Sequence, residues 1–301
     1  MKEVVLQMKL SICSTRELNS TVKMTKRRPL CLIAFILAGV LMIACCTGTN
    51  SSTIIPAEVA ELRPGSGILV GYLPREAVPN SLKLLPAHPA GDSAAFIADQ
   101  EAFRATRSLV DTPRWTQAFK DTILKFPQAA EHFSCVLDAQ ITEELTPNLI
   151  MLMRRSLTDA GLATYMAKNH YKRTRPFVLN KMTTCSPEEE AQLAKDGSYP
   201  SGHSAIGWAW ALILTELAPE RADAILARGY AFGQSRVVCG VHWQSDVTEG
   251  RVVASGVVAK LHTDPVFRAQ LEAAKKELAD VRAKGIKPTN NCQAEAAALA
   301  F

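Results

Sequence analysis

Directly after the pair Thr146-Pro147, the residues Ile150, Met153, Leu157, Gly161 and Tyr165 recur at spacings of 3, 4, 4 and 4. Such a stripe lies on one side of a helix, and proline suits a helix's first turn. The spacing predicts a helix from 147 towards Lys172. It must stop before Pro176, because the residue ahead of a proline is pushed out of the helical region. Much of the chain follows the same rule. Asp92-Ser93 reads as a cap for a helix over about 94–108, with Phe96, Ile97, Phe103 and Leu109 near one face. Further helices are expected from Ser201 or Gly202 to Leu217, stopped by Pro219, then over about 220–233, about 242–262 and, in a charged stretch, about 265–284. Strand-like alternation is scarce and no internal repeat is visible. The expectation is an all-α protein with a single compact helical domain.

The formal charge of +5 does not describe that domain. Residues 1–44 hold seven basic groups (Lys2, Lys9, Arg16, Lys23, Lys26, Arg27, Arg28) against Glu3 and Glu17, so the other 257 residues carry 27 basic and 27 acidic groups. This argues against nucleic acid as a partner. Lys26-Arg27-Arg28, the apolar run Leu30–Ala44 and the exit Cys45-Cys46-Thr47-Gly48 have the layout of a secretory signal, with Met24 or Met8 as alternative starts. The run is short for a bilayer span, which takes about 20 residues. Met42-Ile43-Ala44-Cys45 is similar to a lipobox, which leaves a lipid anchor at Cys45 open. No second apolar run reaches spanning length. The expected organisation is an extension plus signal over 1–45, a Pro/Gly/Ser-rich lead-in over 46–89, a catalytic domain over 90–285 and a tail over 286–301. Export would place the chain in the periplasm. It would also permit disulfides among Cys135, Cys185, Cys239 and Cys292, whose three pairings the sequence does not choose between; free buried thiols are the plain alternative.

Three short blocks carry chemistry. Lys168-Asn-His-Tyr-Lys-Arg-Thr-Arg175-Pro176 places four cations in eight residues. Arginine's planar fork and lysine's point charge suit phosphate oxygens, although a helix end that complements its dipole would look the same. Tyr199-Pro200-Ser201-Gly202-His203 leads into an apolar helix. Such a turn aims backbone N–H groups and the helix dipole at an anion, with His203 beside it as a proton donor, or it is an ordinary helix cap. In Ser235-Arg236-x5-His242-x3-Asp246, a helix opening at His242 would bring Asp246 over the same face. The carboxylate would then fix the imidazole tautomer for a nucleophile, pair with it as a metal ligand, or simply sit on the helix surface.

Taken in order, Lys-x6-Arg-Pro, Pro-Ser-Gly-His and Ser-Arg-x5-His-x3-Asp form the signature of the type 2 phosphatidic acid phosphatase (PAP2) superfamily. The chain matches it at Lys168, Arg175, Pro176, Pro200, Ser201, Gly202, His203, Ser235, Arg236, His242 and Asp246. The stretches GSYPSGHSAIGWAWAL, ILARGYAFGQSRVVCGVHWQSDV, AKLHTDPVF and NSLKLLPAHPAGDSAAFIADQ closely resemble the class A bacterial non-specific acid phosphatases. The resemblance covers roughly 80–285 and is weaker around 110–140. It implies the helical fold shared by acid phosphatases and vanadium-dependent haloperoxidases. It also implies phosphate monoesters as substrates, no cofactor or metal, and a homodimer. On it, Lys168, Arg175, Ser201, Gly202 and Arg236 hold the phosphoryl oxygens, His242 attacks phosphorus, His203 protonates the leaving alcohol and Asp246 orients His242. Phosphotransfer to an alcohol would be a side activity. A haloperoxidase would use the same pocket for vanadate, but such chains are much longer. A non-catalytic phosphate-binding protein would need only the cations and amides, not the full His/His/Asp set.

Overall fold

Among the residues described by the computed structural model, 58–300, regular structure is helical, with one isolated bridge between Glu61 and Leu69 in place of any strand. The expected signal, the lipobox-like Cys45 and the start of the lead-in lie outside the described residues. The helices are α1 (Ser81–Leu84), α2 (Ala94–Thr106), α3 (Pro113–Lys120), α4 (Ser134–Leu137), α5 (Pro147–Ala163), α6 (Tyr165–Tyr171), α7 (Pro176–Asn180), α8 (Glu190–Leu193), α9 (Gly202–Leu217), α10 (Ala222–Val238), α11 (Gln244–Leu261), α12 (Pro265–Ala283) and α13 (Cys292–Leu299). None of these is long and apolar enough to cross a membrane.

The apolar stretch from Gly202 becomes the central helix. α9 packs against α5, α10 and α11, and α12 closes over the outer side of α5. Trp210, Ala211 and Leu214 of α9 have no exposure, like Phe232 of α10 and Val253, Ala254 and Val257 of α11. Burying a large apolar side chain contributes about 1.5–3 kcal/mol, so this one helix anchors much of the core. The Trp210 indole N–H, which cannot stay unpaired there, donates to the Met153 carbonyl at 3.0 Å.

The expected helix 147–172 is interrupted. Thr164 turns its hydroxyl onto the Gly161 carbonyl at 2.7 Å, and α6 restarts at Tyr165 and ends at Lys172 in the left-handed conformation, φ 45°. A threonine hydroxyl bonded back to its own helix competes with the backbone ladder, and the break lets α6 carry Lys168 inward. α5 begins at Pro147 as expected. Its free N–H groups at Asn148 and Leu149 donate to the Glu277 carboxylate of α12 at 2.9–3.1 Å, a cap that arrives from another helix.

α10 runs past the expected end at Gly233 as far as Val238. Its glycines serve packing instead of termination. A β-carbon on Gly229 would meet that of Ala211 at 2.3 Å, and one on Gly207 of α9 would meet the Phe232 ring at 2.2 Å.

The segment read as a tail carries α13, held by a disulfide from Cys292 to Cys135 and by Glu295 on Arg228 at 2.9 Å. Cys185 pairs with Cys239, which settles the pairing left open by the sequence. The lead-in is also fastened. Asp159 of α5 accepts from the Tyr72 and Leu73 amides at 2.8 and 3.1 Å, and burial raises its carboxyl to about 6 against those two bonds.

Gly207→Ala should therefore lower stability. The fully buried Phe232 ring has nowhere to go, and overpacking of this kind costs about 1–3 kcal/mol, more than alanine's helix preference of about 1 kcal/mol returns. Denaturant unfolding checks this; an unchanged or raised midpoint would contradict the packing described.

Candidate active site

His242 does not open α11. Trp243 caps that helix, and Asp246, in its first turn, reaches back with Oδ2 to accept from the Trp243 amide at 2.9 Å and from His242 Nδ1 at 3.3 Å. The expected contact is thus made by a capping carboxylate and not by stacking along a helix face. An accepting carboxylate on Nδ1 puts the ring hydrogen there and leaves the Nε2 lone pair free. That lone pair faces Nη1 of Arg175 at 3.1 Å. Burial, then Arg175, Lys168 and Arg236, push the His242 imidazole well below its usual value, so it is neutral. The metal-pair alternative finds no geometry here: the other Asp246 oxygen is held by Nη1 of Arg173 at 2.6 Å.

Arg173 is a part of the site that the sequence did not assign. Its side chain is 4% exposed and bridges Asp246 to Asp99 of α2, at 2.7 Å. Asp99 in turn accepts from the amide and hydroxyl of Ser245 at 2.8 and 2.6 Å. The only trace in sequence is the density of cations between 168 and 175; nothing marks Asp99, 74 residues upstream of its partner.

The cations come from two segments. Lys168 points out of α6 to the Gly197 carbonyl at 2.5 Å and to Asp196 at 3.5 Å. Burial, then Arg175, brings its ammonium down to about 8 against the opposing pull of Asp196 and Asp246. Arg175 precedes α7 and donates through Nε to the Leu193 and Asp196 carbonyls at 2.8 and 3.1 Å, and through Nη1 to the Val241 carbonyl at 3.0 Å. Gly197 must be glycine for this approach, since a β-carbon there would stand 2.7 Å from the Lys168 carbonyl. Arg236, near the end of α10, is 1% exposed, yet its Nε and Nη1 have no hydrogen-bond partner among the described residues. Burial lowers its guanidinium to about 10.

Ser201 follows the cis Tyr199-Pro200 bond and caps α9, its Oγ accepting from the Ser204 amide at 3.3 Å and hydroxyl at 2.9 Å. The capping and anion-binding readings coexist, because accepting leaves the hydroxyl's own hydrogen free. The Ser201 amide donates to the Asp246 carbonyl at 2.9 Å, which ties this turn to the His242 segment. Gly202 and His203 open α9 with amides that precede its first internal bond. His203 Nε2 donates to the Thr122 carbonyl at 2.9 Å, so Nδ1 is the nitrogen left to gain or lose a proton. Burial, then Arg236, pushes this ring well below its usual value, with His242 and Arg175 acting the same way. Bonds and charge interactions thus link Lys168, Arg175, Arg236, His203, His242 and Asp246, and the Ser201 amide ties the Ser201-Gly202 turn to the same cluster.

Ser235 belongs to the signature but turns its hydroxyl to a different buried carboxylate. Its hydroxyl donates to Asp121 at 2.6 Å, beside the double contact from Arg228 at 2.6 and 3.3 Å. Burial alone would raise the Asp121 carboxyl, but Arg228, His132 and Ser235 outweigh it and hold it below the usual range. The adjacent Thr122 carbonyl is the one that His203 uses, so this buried cluster fixes the loop behind the second imidazole.

Comparison with known proteins agrees with this geometry. Residues 149–268 match the PAP2 superfamily. The chain is 44% identical over 247 residues to the non-specific acid phosphatase of Providencia stuartii, covering 80% of this chain and 98% of that one. It is 43% identical over 227 residues to the non-specific acid phosphatase of Salmonella typhimurium, covering 75% and 90%, and 36% identical over 249 residues to the acid phosphatase of Zymomonas mobilis, covering 78% and 94%. The chain belongs to the PAP2 superfamily, among its bacterial acid phosphatases of the class A type.

Removing Arg173 tests the hidden part of the site. Arg173→Met leaves two buried carboxylates without their shared cation, and breaking a buried pair costs about 3–5 kcal/mol. Chemical denaturation should show a loss of that size; a change near zero would mean that Arg173 does not hold Asp99 and Asp246.

Proposed function

We propose that this phosphomonoesterase is an exported acid phosphatase of broad specificity, acting through a phosphohistidine at His242 without a cofactor. The observation that carries the reading is Arg236: a buried guanidinium with two donors unpaired among the described residues, near Arg175 and the His203 that opens α9, suits a site completed by an anion. Leaving buried donors unpaired is costly, and a phosphoryl group supplies the missing acceptors.

On this reading Lys168, Arg175 and Arg236, the Ser201 hydroxyl and the Gly202 and His203 amides surround the phosphoryl oxygens. Arg175 Nη1 passes from His242 Nε2 to one of those oxygens as the ester binds. Nε2 then attacks phosphorus, the P–N bond forms as the ester P–O bond breaks, and the departing oxygen takes the proton from Nδ1 of the His203 imidazolium. Asp246 stabilises the positive charge that develops on His242. In the second half, His203 takes a proton from water, the water oxygen attacks phosphorus, and the P–N bond breaks to release phosphate. An alcohol in place of water gives phosphotransfer. Cations and amides offset charge on the equatorial oxygens, the main contribution in phosphoryl transfer. Because these contacts all grip the phosphoryl group, the leaving alcohol is weakly selected. The basic flank, apolar run and small polar exit over residues 26–48 support export to the periplasm.

Rapid quench with labelled substrate should trap a phosphoenzyme in the native chain and none in His242→Ala. Asp246→Asn should lower kcat by about 10³–10⁴-fold, the scale of a lost tautomer-fixing carboxylate, with phosphate still bound. A labelled His242→Ala enzyme would refute the assignment.

The pH dependence carries its own signature. His203 must hold a proton to donate, so the rate falls as pH rises through its value. In the free enzyme that value lies below the usual ~6.5, because burial and the neighbouring cations disfavour the imidazolium. A bound phosphoryl anion opposes those cations and raises it. The falling limb of kcat should therefore lie at higher pH than that of kcat/KM; coincident limbs, or rates climbing through pH ~9, far above that reference value, would contradict the role of His203.

A further inference from the structure

We propose that Asp196 is an internal counter-anion of the phosphoryl site: it occupies Lys168 and Arg175 when no substrate is present, competes with the incoming phosphoryl oxygens, and so limits how tightly product phosphate is held. The proposal rests on the phosphatase reading above and concerns a residue to which the reaction itself gives no role.

Asp196 Oδ2 lies 3.3 Å from Arg175 Nη2 and 3.5 Å from Lys168 Nζ, so one oxygen touches both cations assigned to the phosphoryl group. Those cations are 2% and 5% exposed, whereas the aspartate is 33% exposed. Its side chain can leave without dismantling the loop, because the loop is fastened by backbone: the Asp196 carbonyl accepts from Arg175 Nε and the Gly197 carbonyl from Lys168 Nζ. There is also somewhere for it to go. A cavity of about 290 Å³ adjoins Asp196 and is lined by Lys172 and Lys195 as well as by the two site cations.

The charge balance gives the arrangement a purpose. Asp246 and Asp99 share Arg173 between them, and the cations facing the phosphoryl group are Lys168, Arg175 and Arg236. Three positive charges with no counter-anion would hold inorganic phosphate firmly, and product would leave slowly. One neighbouring carboxylate lowers the positive excess at these cations and so weakens their hold on a bound anion. Uniform binding of ground state and product does not speed the chemical step, so weakening it selectively is useful. The charged and titratable groups facing Asp196 are Lys168, Arg175 and Tyr165; those facing Lys168 are Arg175, Asp196, Asp246 and His242.

The test compares the purified full chain with Asp196→Asn, Asp196→Ser and Asp196→Glu, using p-nitrophenyl phosphate as substrate and inorganic phosphate as inhibitor at about pH 6, near the reference imidazole value and below that of Lys168. Removing the charge should tighten inhibition by phosphate about tenfold, the effect of one modest charge–charge interaction, and lower KM without raising kcat. Because Asp196 supports the charge of Lys168, whose value is about 8, the loss of phosphate binding with rising pH should begin at lower pH in Asn and Ser. The Glu variant should return towards the native inhibition constant. Phosphate inhibition that is unchanged or weaker in both Asn and Ser would overturn the proposal and mark Asp196 as a support of the loop. Failure of the native chain to hydrolyse the substrate or to be inhibited by phosphate would instead sink the phosphatase reading itself.

Discussion

A carboxylate with no exposure needs a donor for each of its oxygens, and the way Asp246 meets that need organises the site. One oxygen takes the amide that begins α11 and the Nδ1 hydrogen of His242; the other takes Arg173. Its backbone carbonyl receives the Ser201 amide. A single residue thus sets the start of one helix, the tautomer of an imidazole, the position of a buried arginine and the approach of the turn that opens α9. Arg173 would be an expensive cation to bury for one partner, and it is shared with Asp99, which reaches it from α2. Stability and chemistry draw on the same atoms.

The remaining charges follow from burial. Lys168, Arg175 and Arg236 are all held in surroundings that disfavour their charged forms. Lys168 and Arg175 are partly compensated by Asp196, and Arg236 keeps two donors with no acceptor among the described residues. The two imidazoles lie among these cations and are both pushed towards the neutral state. An anion bound among them would reverse each of these penalties at once. On the proposed mechanism the same reversal would favour the protonated form of His203.

Much of this was legible in the sequence where the signal is local. The α5 stripe, the Pro-Ser-Gly turn ahead of an apolar helix and the order of the three blocks each depend on residues a few positions apart. The parts that could not be read depend on distance in the chain. Asp99 meets Arg173, Glu277 caps α5, and Asp121 receives Ser235 and Arg228, each across more than seventy residues. Thr164 offers no breaker signal, since its hydroxyl bond to Gly161 is one of several conformations open to a threonine. Gly229 and Gly233 look like ends of a helix but are the places where α10 meets its neighbours closely. The terminal α13 is short and weakly patterned, and its place is determined by Cys292 and Glu295, whose partners only the fold supplies.

If the proposed mechanism holds, Nε2 of His242 and Nδ1 of His203 address the same tetrahedral anion from opposite sides, among Lys168, Arg175, Arg236 and the start of α9. A crystal structure of the protein with vanadate, which adopts the five-coordinate geometry of phosphoryl transfer, measures this directly. Vanadium should be bonded to His242 Nε2, with Arg236 Nε and Nη1 donating to its equatorial oxygens and the apical oxygen facing His203 Nδ1. Vanadate bound away from His242, or a His203 ring that turns its free nitrogen from the apical oxygen, would contradict it.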